Sequence, residues 1–165
     1  MNRFNDINPL VKKEIISGWG RRKSVTSKLL SFKNNDQLIN LLKDKKFQPM
    51  IMRGLGRSYG DAAQIENKYV VQADFSKDIR ISDNTATVGA NVSIEELLKV
   101  IVPLGYFLPV SPGSAKVTVG GALAADVHGK NHHKIGSFGD HVLSIIVVDG
   151  KGEIQELKPN LEKNQ

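Results

Sequence analysis

Met52-Arg53-Gly54-Leu55-Gly56-Arg57-Ser58-Tyr59-Gly60-Asp61 directly follows a short apolar run, Pro49-Met50-Ile51. Three glycines and two arginines in ten residues favour an anion-binding loop, because glycine has no Cβ to hold a ligand away from backbone N–H groups and tolerates positive φ. A Walker loop is excluded, since no Lys-Ser or Lys-Thr follows the later glycines. A Rossmann fingerprint is also excluded, because Tyr59 stands where its third glycine is required. A glycine-rich turn that binds nothing remains the alternative.

A second glycine-rich constellation lies between residues 109 and 141. The small residues from Gly120 to Ala125 permit close packing against a large flat ligand. Thr118, His128 and Asn131 offer hydrogen bonds around such a ligand. This segment therefore predicts a site for a planar cofactor, with a tight core turn as the alternative.

Taken together, the two segments resemble the flavin-binding domain of the vanillyl-alcohol oxidase (PCMH-type) superfamily, nearest to its decaprenylphosphoryl-ribose oxidases and sugar-lactone oxidases. The resemblance rests on Arg53–Asp61, Thr118–Ala122, His128–His133 and Gly136–Gly139, and Ser17–Arg21 matches the start of that domain. It implies an α+β fold, a two-subdomain PCMH-type FAD-binding domain of which this chain is the N-terminal portion. We expect a leading segment at 1–16, the FAD-binding domain at 17–158, incomplete, and a flexible tail at 159–165.

The resemblance also implies the cofactor, FAD, and the residues that bind it. The first loop is expected to hold the pyrophosphate through its backbone N–H groups, and the second segment to contact the flavin. Arg57 stands where several lactone oxidases carry a histidine that attaches the flavin covalently, and a guanidinium is a poor nucleophile, so we expect non-covalent FAD. The expected cofactor-binding residues are Met52, Arg53, Gly54, Leu55, Gly56, Arg57, Ser58, Tyr59, Gly60, Asp61, Ala62, Gly113, Thr118, Val119, Gly120, Gly121, Ala125, Asp126, Val127 and His128.

The implied activity is oxidation of a sugar or sugar-phosphate carbinol, with hydride passing to flavin N5. His128, Lys130 and Tyr59 are the expected substrate-facing residues. A polyprenyl-phospho-sugar is one expected substrate, and the rest of the oxidase chain or a partner would supply the substrate domain. Alternatives are a reductase of the enolpyruvyl nucleotide-sugar type and a non-catalytic flavin-binding module. The chain is expected to be a fragment or a truncated stand-alone protein.

Composition excludes several other classes of protein. The longest apolar runs fall far short of the roughly 20 residues of a membrane-spanning helix, and the N-terminus lacks a secretory signal, so a cytoplasmic location is expected. Absence of cysteine excludes disulfides and thiolate sites. Residues 1–53 hold 12 Lys/Arg against 4 Asp/Glu, which is compatible with peripheral membrane association, whereas no nucleic-acid motif accompanies the charge. No metal site is expected, because Lys130 lies among the histidines.

Periodicity and turn residues predict the following elements. Helices are expected at 35–46, at 94–101 behind a Ser93–Glu96 capping box, and at 119–125, with the His128 segment as loop. Strands are expected at 49–52, 69–73, 79–82, 85–89 and 106–110, and a hairpin joins 142–148 to 153–157. The strands between 69 and 89 are interpreted as a meander between two strand-helix-strand clusters.

Overall fold

The structure is a computed structural model that describes residues 11–159. Most of the predicted leading segment and most of the predicted tail lie outside the described residues. The chain divides into two compact units, with the boundary between Phe75 and Ser76. The mixture of helices and strands agrees with the predicted α+β class.

Eight strands and four helices are present in the described part of the chain. The strands are β1 Lys12–Ser17, β2 Ser24–Phe32, β3 Met50–Met52, β4 Tyr69–Ala73, β5 Ile79–Ser82, β6 Thr85–Val88, β7 Ile145–Val148 and β8 Ile154–Leu157. The helices are α1 Asn35–Lys43, α2 Ile94–Ile101, α3 Val119–Ala124 and α4 His132–Ile135. Within residues 11–159, none of the helices has the length and apolar character needed to cross a bilayer.

The first unit is built on a four-stranded sheet of order β1-β2-β4-β3. β1 runs antiparallel to β2, while β2 and β3 both run parallel to β4. Val70 and Val71 on β4 are fully buried, as expected of a central strand covered on both faces. β1 and β2 were not predicted, although Val25 and Ser27 are buried between exposed neighbours, which is the alternation typical of a strand.

The predicted meander is wrong. β4 is hydrogen-bonded to β2 and β3 in the first sheet, whereas β5 and β6 form a separate antiparallel hairpin in the second unit. β2 pairs with β4 along one edge and β3 along the other, so both rows of β4 backbone groups are hydrogen-bonded and no edge is left for the next strand in sequence.

Helix α1 confirms the helix predicted from residue 35, but it ends at Lys43 instead of residue 46. Its N-cap is Asn34, whose Oδ1 accepts a hydrogen bond from the Gln37 N–H at 2.9 Å. Asp44 has an extended backbone and caps a separate 3₁₀ turn at Lys45–Phe47. That turn buries Phe47, whose ring lies 5.3 Å from the Tyr69 ring in an edge-to-face contact.

Helix α2 organises the second unit. The Ser93–Glu96 capping box is confirmed, with both of its reciprocal hydrogen bonds present. Leu97 and Ile101 are buried with Val92, and apolar side chains of β5 and β6 pack against this cluster. The helix continues into a 3₁₀ turn that ends at Gly105 with φ 84°, as the glycine after the helix predicts.

The predicted strand at 106–110 is wrong, so the second strand-helix-strand cluster lacks its return strand. The Tyr106 N–H donates to the Ile101 carbonyl at 3.0 Å, so this residue closes the helix end instead of starting a ladder. Pro109 has no N–H to contribute, and only Val110 of the segment is fully buried. These residues form an irregular segment.

Two further elements differ slightly from prediction. α3 is confirmed at 119–124, but the segment expected as loop contains the single-turn helix α4, which begins because the His132 N–H donates to the Gly129 carbonyl. The β7–β8 hairpin is confirmed, though β7 begins at Ile145 because a 3₁₀ turn occupies Gly139–His141. Asp149 caps the hairpin turn, and the hydrogen bond from the Glu153 N–H lowers the pKa of its carboxyl.

Candidate functional site

The Arg53 side chain, at the start of the glycine-rich loop in the first unit, is hydrogen-bonded to the end of that loop and to the end of β1. Its Nη1 donates to the Ala63 carbonyl at 2.9 Å and its Nη2 to the Ser17 carbonyl at 2.8 Å. Burial lowers the pKa of this guanidinium, and the positive charge of Arg57 adds to the effect. Arg53 therefore shapes the loop, and these two bonds direct its terminal nitrogens toward the protein's own carbonyls.

Gly56 is buried beneath this side chain. Its φ of +68° lies in the left-handed region, and a Cβ placed on it would overlap the Arg53 guanidinium. Glycine is required here for two reasons, backbone conformation and space. The predicted close approach at Gly56 is thus made by the protein's own arginine.

The segment after β1 lies directly against the loop. The Trp19 N–H donates to the Ser58 carbonyl at 2.7 Å. A Cβ on Gly18 would overlap the Gly60 carbonyl oxygen and lie 2.8 Å from that of Ser58. Ser17–Arg21 resembles the start of the family's domain, but its contact with the glycine-rich loop was not predicted from the sequence.

Arg57 is the second cation of the loop. Its Nη1 donates to the Leu55 carbonyl at 2.7 Å, and its guanidinium carbon lies 5.1 Å from the centroid of the Trp19 ring. Its Nε is buried and has no hydrogen-bond acceptor among residues 11–159. Buried polar atoms are nearly always partnered in native proteins, so this Nε is available to an acceptor supplied from outside the chain.

The loop offers many hydrogen-bond donors, and its one carboxylate, Asp61, forms no ion pair with either arginine within residues 11–159. Within the described part of the chain, no backbone N–H from Gly54 to Ala63 donates a hydrogen bond, and neither Arg53 nor Arg57 forms an ion pair. Two arginines beside consecutive free N–H groups are suited to an anion with several oxygens, because each oxygen accepts more than one donor. The residues present therefore fit a pyrophosphate.

Side chains at the surface of this loop are exposed. Tyr59 is 82% exposed, and Met52 and Leu55 are about half exposed. Ser58, Asp61 and Ala62 are exposed as well. These residues are accessible to a ligand.

The second segment makes a different use of its small residues. Thr118 caps α3, its Oγ1 accepting the Gly121 N–H at 3.0 Å. The Gly120 N–H donates to the Ala90 carbonyl at 2.9 Å, and a Cβ on Gly120 would lie 3.1 Å from the Ala90 Cβ. Ala122 is fully buried. Contacts within the protein therefore account for Gly120 and Gly121, where close approach of a flat ligand was expected.

Asp126 fixes the turn after α3. Its φ is 40°, and its Oδ1 accepts the Gly139 N–H at 2.9 Å. That hydrogen bond, with a further one from Ser137, lowers the pKa of the Asp126 carboxyl. Val127 accepts the Phe138 N–H. Residues 126–127 are thus hydrogen-bonded to the 137–139 segment. Ala125, which precedes this turn, is exposed.

The segments around Gly113 and His128 line an open cleft of about 770 Å³ in the second unit, a volume within the usual range of ligand pockets. Its walls are formed by Phe107, Leu108, Pro109, Ser111, Pro112, Gly113, His128, Gly129, Lys130, Asn131 and His132. The cleft brings together the predicted residues Gly113, His128 and Lys130. Tyr59 belongs to the first unit.

Several cleft residues were not singled out by the sequence. Ser111 contributes a buried Oγ without a hydrogen-bond partner among residues 11–159, and Phe107 an aromatic ring that is 66% exposed. His132 lies with its ring centroid 4.7 Å from that of His128. The exposed aromatic at 107 carries no periodic signal, because the segment forms neither helix nor strand.

The histidines of this cleft face the protein backbone. Nδ1 of His128 and Nδ1 of His132 lie 3.3 and 3.1 Å from the Gly129 carbonyl oxygen. Asn131 donates from Nδ2 to the Pro109 carbonyl at 3.1 Å. In residues 11–159, no three His, Asp or Glu side chains are grouped closely enough to hold a metal ion.

Comparisons with known proteins agree on a family. The profile described as "FAD binding domain" matches residues 27–158. The chain is 38% identical over 150 residues to decaprenylphosphoryl-beta-D-ribose oxidase of Mycolicibacterium smegmatis, covering 87% of this chain and 33% of that protein. It is 29% identical over 136 residues to D-lactate dehydrogenase of Archaeoglobus fulgidus, covering 79% and 31%. The chain thus spans about a third of the length of these curated relatives.

A solved structure supports the fold. Cholesterol oxidase from B. sterolicum matches with a TM-score of 0.75 over 92% of this chain and 33% of that chain, at 18% identity. The resemblance predicted from the glycine-rich segments, the PCMH-type fold and the FAD cofactor are confirmed. The chain belongs to the FAD binding domain family.

Proposed function

We propose that the loop Arg53–Asp61 binds the pyrophosphate of FAD without a covalent bond. The observation that carries the proposal is the run of free backbone N–H groups from Gly54 to Ala63 beside two arginines that no carboxylate neutralises. A diphosphate would supply acceptors for these donors and offset both charges. Met52 precedes these donors, Ala62 is among them, and both complete the proposed cradle.

The non-covalent character follows from Arg57. Its guanidinium is bonded to the Leu55 carbonyl and lies over Trp19, and it remains protonated at physiological pH. A protonated guanidinium has no lone pair to attack the flavin. The proposal therefore gives Arg57 an electrostatic role and no covalent one.

In the second unit we propose that the cleft between the Gly113 and His128 segments receives the flavin and the reacting group of the substrate. Lys130 is exposed at its wall, where a cation would hold a substrate oxygen or phosphate. His128 offers its Nε2 while Nδ1 faces the Gly129 carbonyl. Thr118, Val119, Gly120 and Gly121 act mainly by placing α3, and Ala125, Asp126 and Val127 form the turn that leads from α3 to His128.

We further propose that the whole protein is an FAD-dependent oxidoreductase acting on a CH–OH group of a sugar or sugar phosphate. FAD, when bound, accepts the hydride removed from that carbon. The ribose oxidase, lactate dehydrogenase and cholesterol oxidase that resemble this chain support oxidation of CH–OH, and the first of them supports a polyprenyl-phospho-sugar. The remainder of the chain or a partner would supply the substrate domain. Cytoplasmic location and peripheral membrane association stay predictions.

Anaerobic flavin reduction tests this activity. The protein from its complete native reading frame is loaded with FAD and mixed with sugars, sugar phosphates, lactate and a sterol, and loss of flavin absorbance is followed. Bleaching by a sugar or sugar phosphate is expected. Bleaching by NADPH alone would instead support a reductase, and no bleaching by any donor would support a binding module. The 165-residue chain is expected to bind FAD without turnover.

A further inference from the structure

We infer that Trp19 is a positioning residue for this cofactor: it acts through Arg57 and fixes that guanidinium in the anion cradle. The inference rests on the proposed function of the loop. It concerns a side chain outside the residues that the sequence singled out for binding FAD.

The first step is the position of the indole ring. Trp19 is 52% exposed, so burial in the core does not explain a large aromatic side chain here. Its ring centroid lies 5.1 Å from the Arg57 guanidinium carbon, within the range of a cation–π interaction. The described contacts of this ring are thus made with the cation of the cradle.

The second step is how the backbone holds that ring in place. The Trp19 N–H bonds to the Ser58 carbonyl, and Gly18 and Gly20 on either side approach the carbonyls of residues 58–60 too closely to carry a relaxed Cβ. These contacts hold the Trp19 backbone against the loop that carries Arg57. The Leu55 carbonyl holds Nη1 of Arg57, and the Trp19 ring lies against the face of the guanidinium. The edge of the guanidinium that carries Nε is left for the anion.

The third step concerns the entropic cost of ordering the Arg57 side chain, which the Trp19 ring reduces. A free arginine side chain loses rotamer entropy on being ordered. Stacking on Trp19 orders Arg57 before the ligand arrives, so less of that cost falls on binding. Without the ring, Arg57 keeps its charge but loses its fixed direction.

A double-mutant cycle on FAD affinity tests the inference, with Trp19→Leu, Arg57→Met and the double variant in the full chain. Trp19→Leu should weaken FAD binding roughly tenfold and Trp19→Phe roughly threefold, since phenylalanine is the weaker cation–π partner. In the Arg57→Met background, Trp19→Leu should change the affinity by less than about twofold. Tyr106→Leu, which removes an exposed aromatic of the second unit, is the matched control and should leave affinity unchanged.

The outcomes separate this inference from the proposed function. Equal losses from Trp19→Leu with and without Arg57 would overturn the positioning role, because a merely structural residue acts independently of the charge. A wild-type chain that binds neither FAD nor inorganic pyrophosphate would overturn both proposals. Circular dichroism checks folding, and if Trp19→Leu unfolds, the same cycle with Trp19→Phe decides. Because Trp19 is the one tryptophan of the chain, its fluorescence should also change when pyrophosphate is added to wild type.

Discussion

The two glycine-rich segments look alike in sequence and differ in what their backbone does. From Gly54 to Ala63 the N–H groups have no acceptors within residues 11–159, whereas the N–H groups of Gly120 and Gly121 are bonded to Ala90 and Thr118. Glycine content alone therefore does not distinguish a ligand cradle from a tight turn. The distinguishing property is a set of convergent donors left without partners and without neutralising carboxylates.

The largest effect should come from Gly56→Val. A branched residue at φ +68° costs about 1–3 kcal/mol of strain, and overlap with the Arg53 guanidinium costs about 1–3 kcal/mol more. Relieving that strain moves the loop out of the conformation that aligns its N–H donors, so FAD affinity should fall roughly a hundredfold, about 2.7 kcal/mol of binding free energy, as measured by titration.

Gly150→Ala, in the β7–β8 turn outside the cradle, is the matched control for that change. A Cβ on Gly150 would meet nothing within 4 Å, so FAD affinity should stay within about threefold of wild type. If Gly56→Val retained wild-type flavin occupancy, the account of the first loop would be wrong.

Gly120→Val should act on stability instead of on the cradle. Its Cβ would lie 3.0 Å from the Ala90 carbonyl oxygen, and such overpacking costs about 1–3 kcal/mol of unfolding free energy. Chemical denaturation should show that loss, while the folded fraction keeps its FAD affinity within about threefold. A large loss of affinity at unchanged stability would show that Gly120 contacts the cofactor, as first expected from the sequence.

Acid should loosen the second segment before the first. The hydrogen bond from Lys77, with those from Ser93, lowers the pKa of Glu96 from 4.5 to about 2. The stabilisation is therefore complete above pH 4.5 and is lost as the pH falls toward 2. Since the N–H groups of Ile94 and Glu95 donate to the carbonyls of Val117 and Ala115, the hydrogen-exchange protection factors of the Ile94 and Glu95 amides should fall over that interval.

Glu96→Gln provides the control for the acid prediction. The amide removes the charge, so the protection factors of the Ile94 and Glu95 amides should lose most of their dependence on pH. The energetic effect should be under about 1 kcal/mol, because this carboxylate is partly solvent-screened. Equal acid sensitivity in wild type and variant would assign the loosening to other groups.

Lys130→Ala should have only a small effect on FAD affinity. Lys130 is exposed at the cleft, and exposed charges contribute at most about 1 kcal/mol, so affinity should change less than about fivefold. Lys134→Ala, at an exposed position of α4, is its control. A loss of FAD affinity as large as that of Gly56→Val would show that the anion site lies in the cleft and not in the first unit.

The sequence predicted the local elements well and the long-range pairing poorly. The residues that form the Ser93–Glu96 capping box and the Asp149 turn are close together in the sequence, so both features could be recognised from the sequence directly. β4 was located but wrongly paired, because its partner β2 is distant in sequence. Leu29 pairs with Val70 in a parallel register, and no local pattern indicates that pairing.

The residues of the candidate loop could be predicted from the sequence, but their long-range contacts could not. The glycines and arginines of residues 53–61 indicated an anion loop from their spacing and composition. The bond from Arg53 to the Ser17 carbonyl and the stacking of Arg57 on Trp19 could not be predicted, because they depend on the approach of a segment more than thirty residues away, as the separation of 36 between Ser17 and Arg53 shows.

Titration of the wild-type chain with FAD and with FMN tests the central claim most directly. Both carry the same flavin ring, but only FAD carries the pyrophosphate for which the free donors of Gly54–Ala63 are proposed. FAD should bind at least about a hundredfold more tightly, a difference of roughly 2.7 kcal/mol, and inorganic pyrophosphate should compete with it. Equal affinities for FAD and FMN, with no competition by pyrophosphate, would contradict the account.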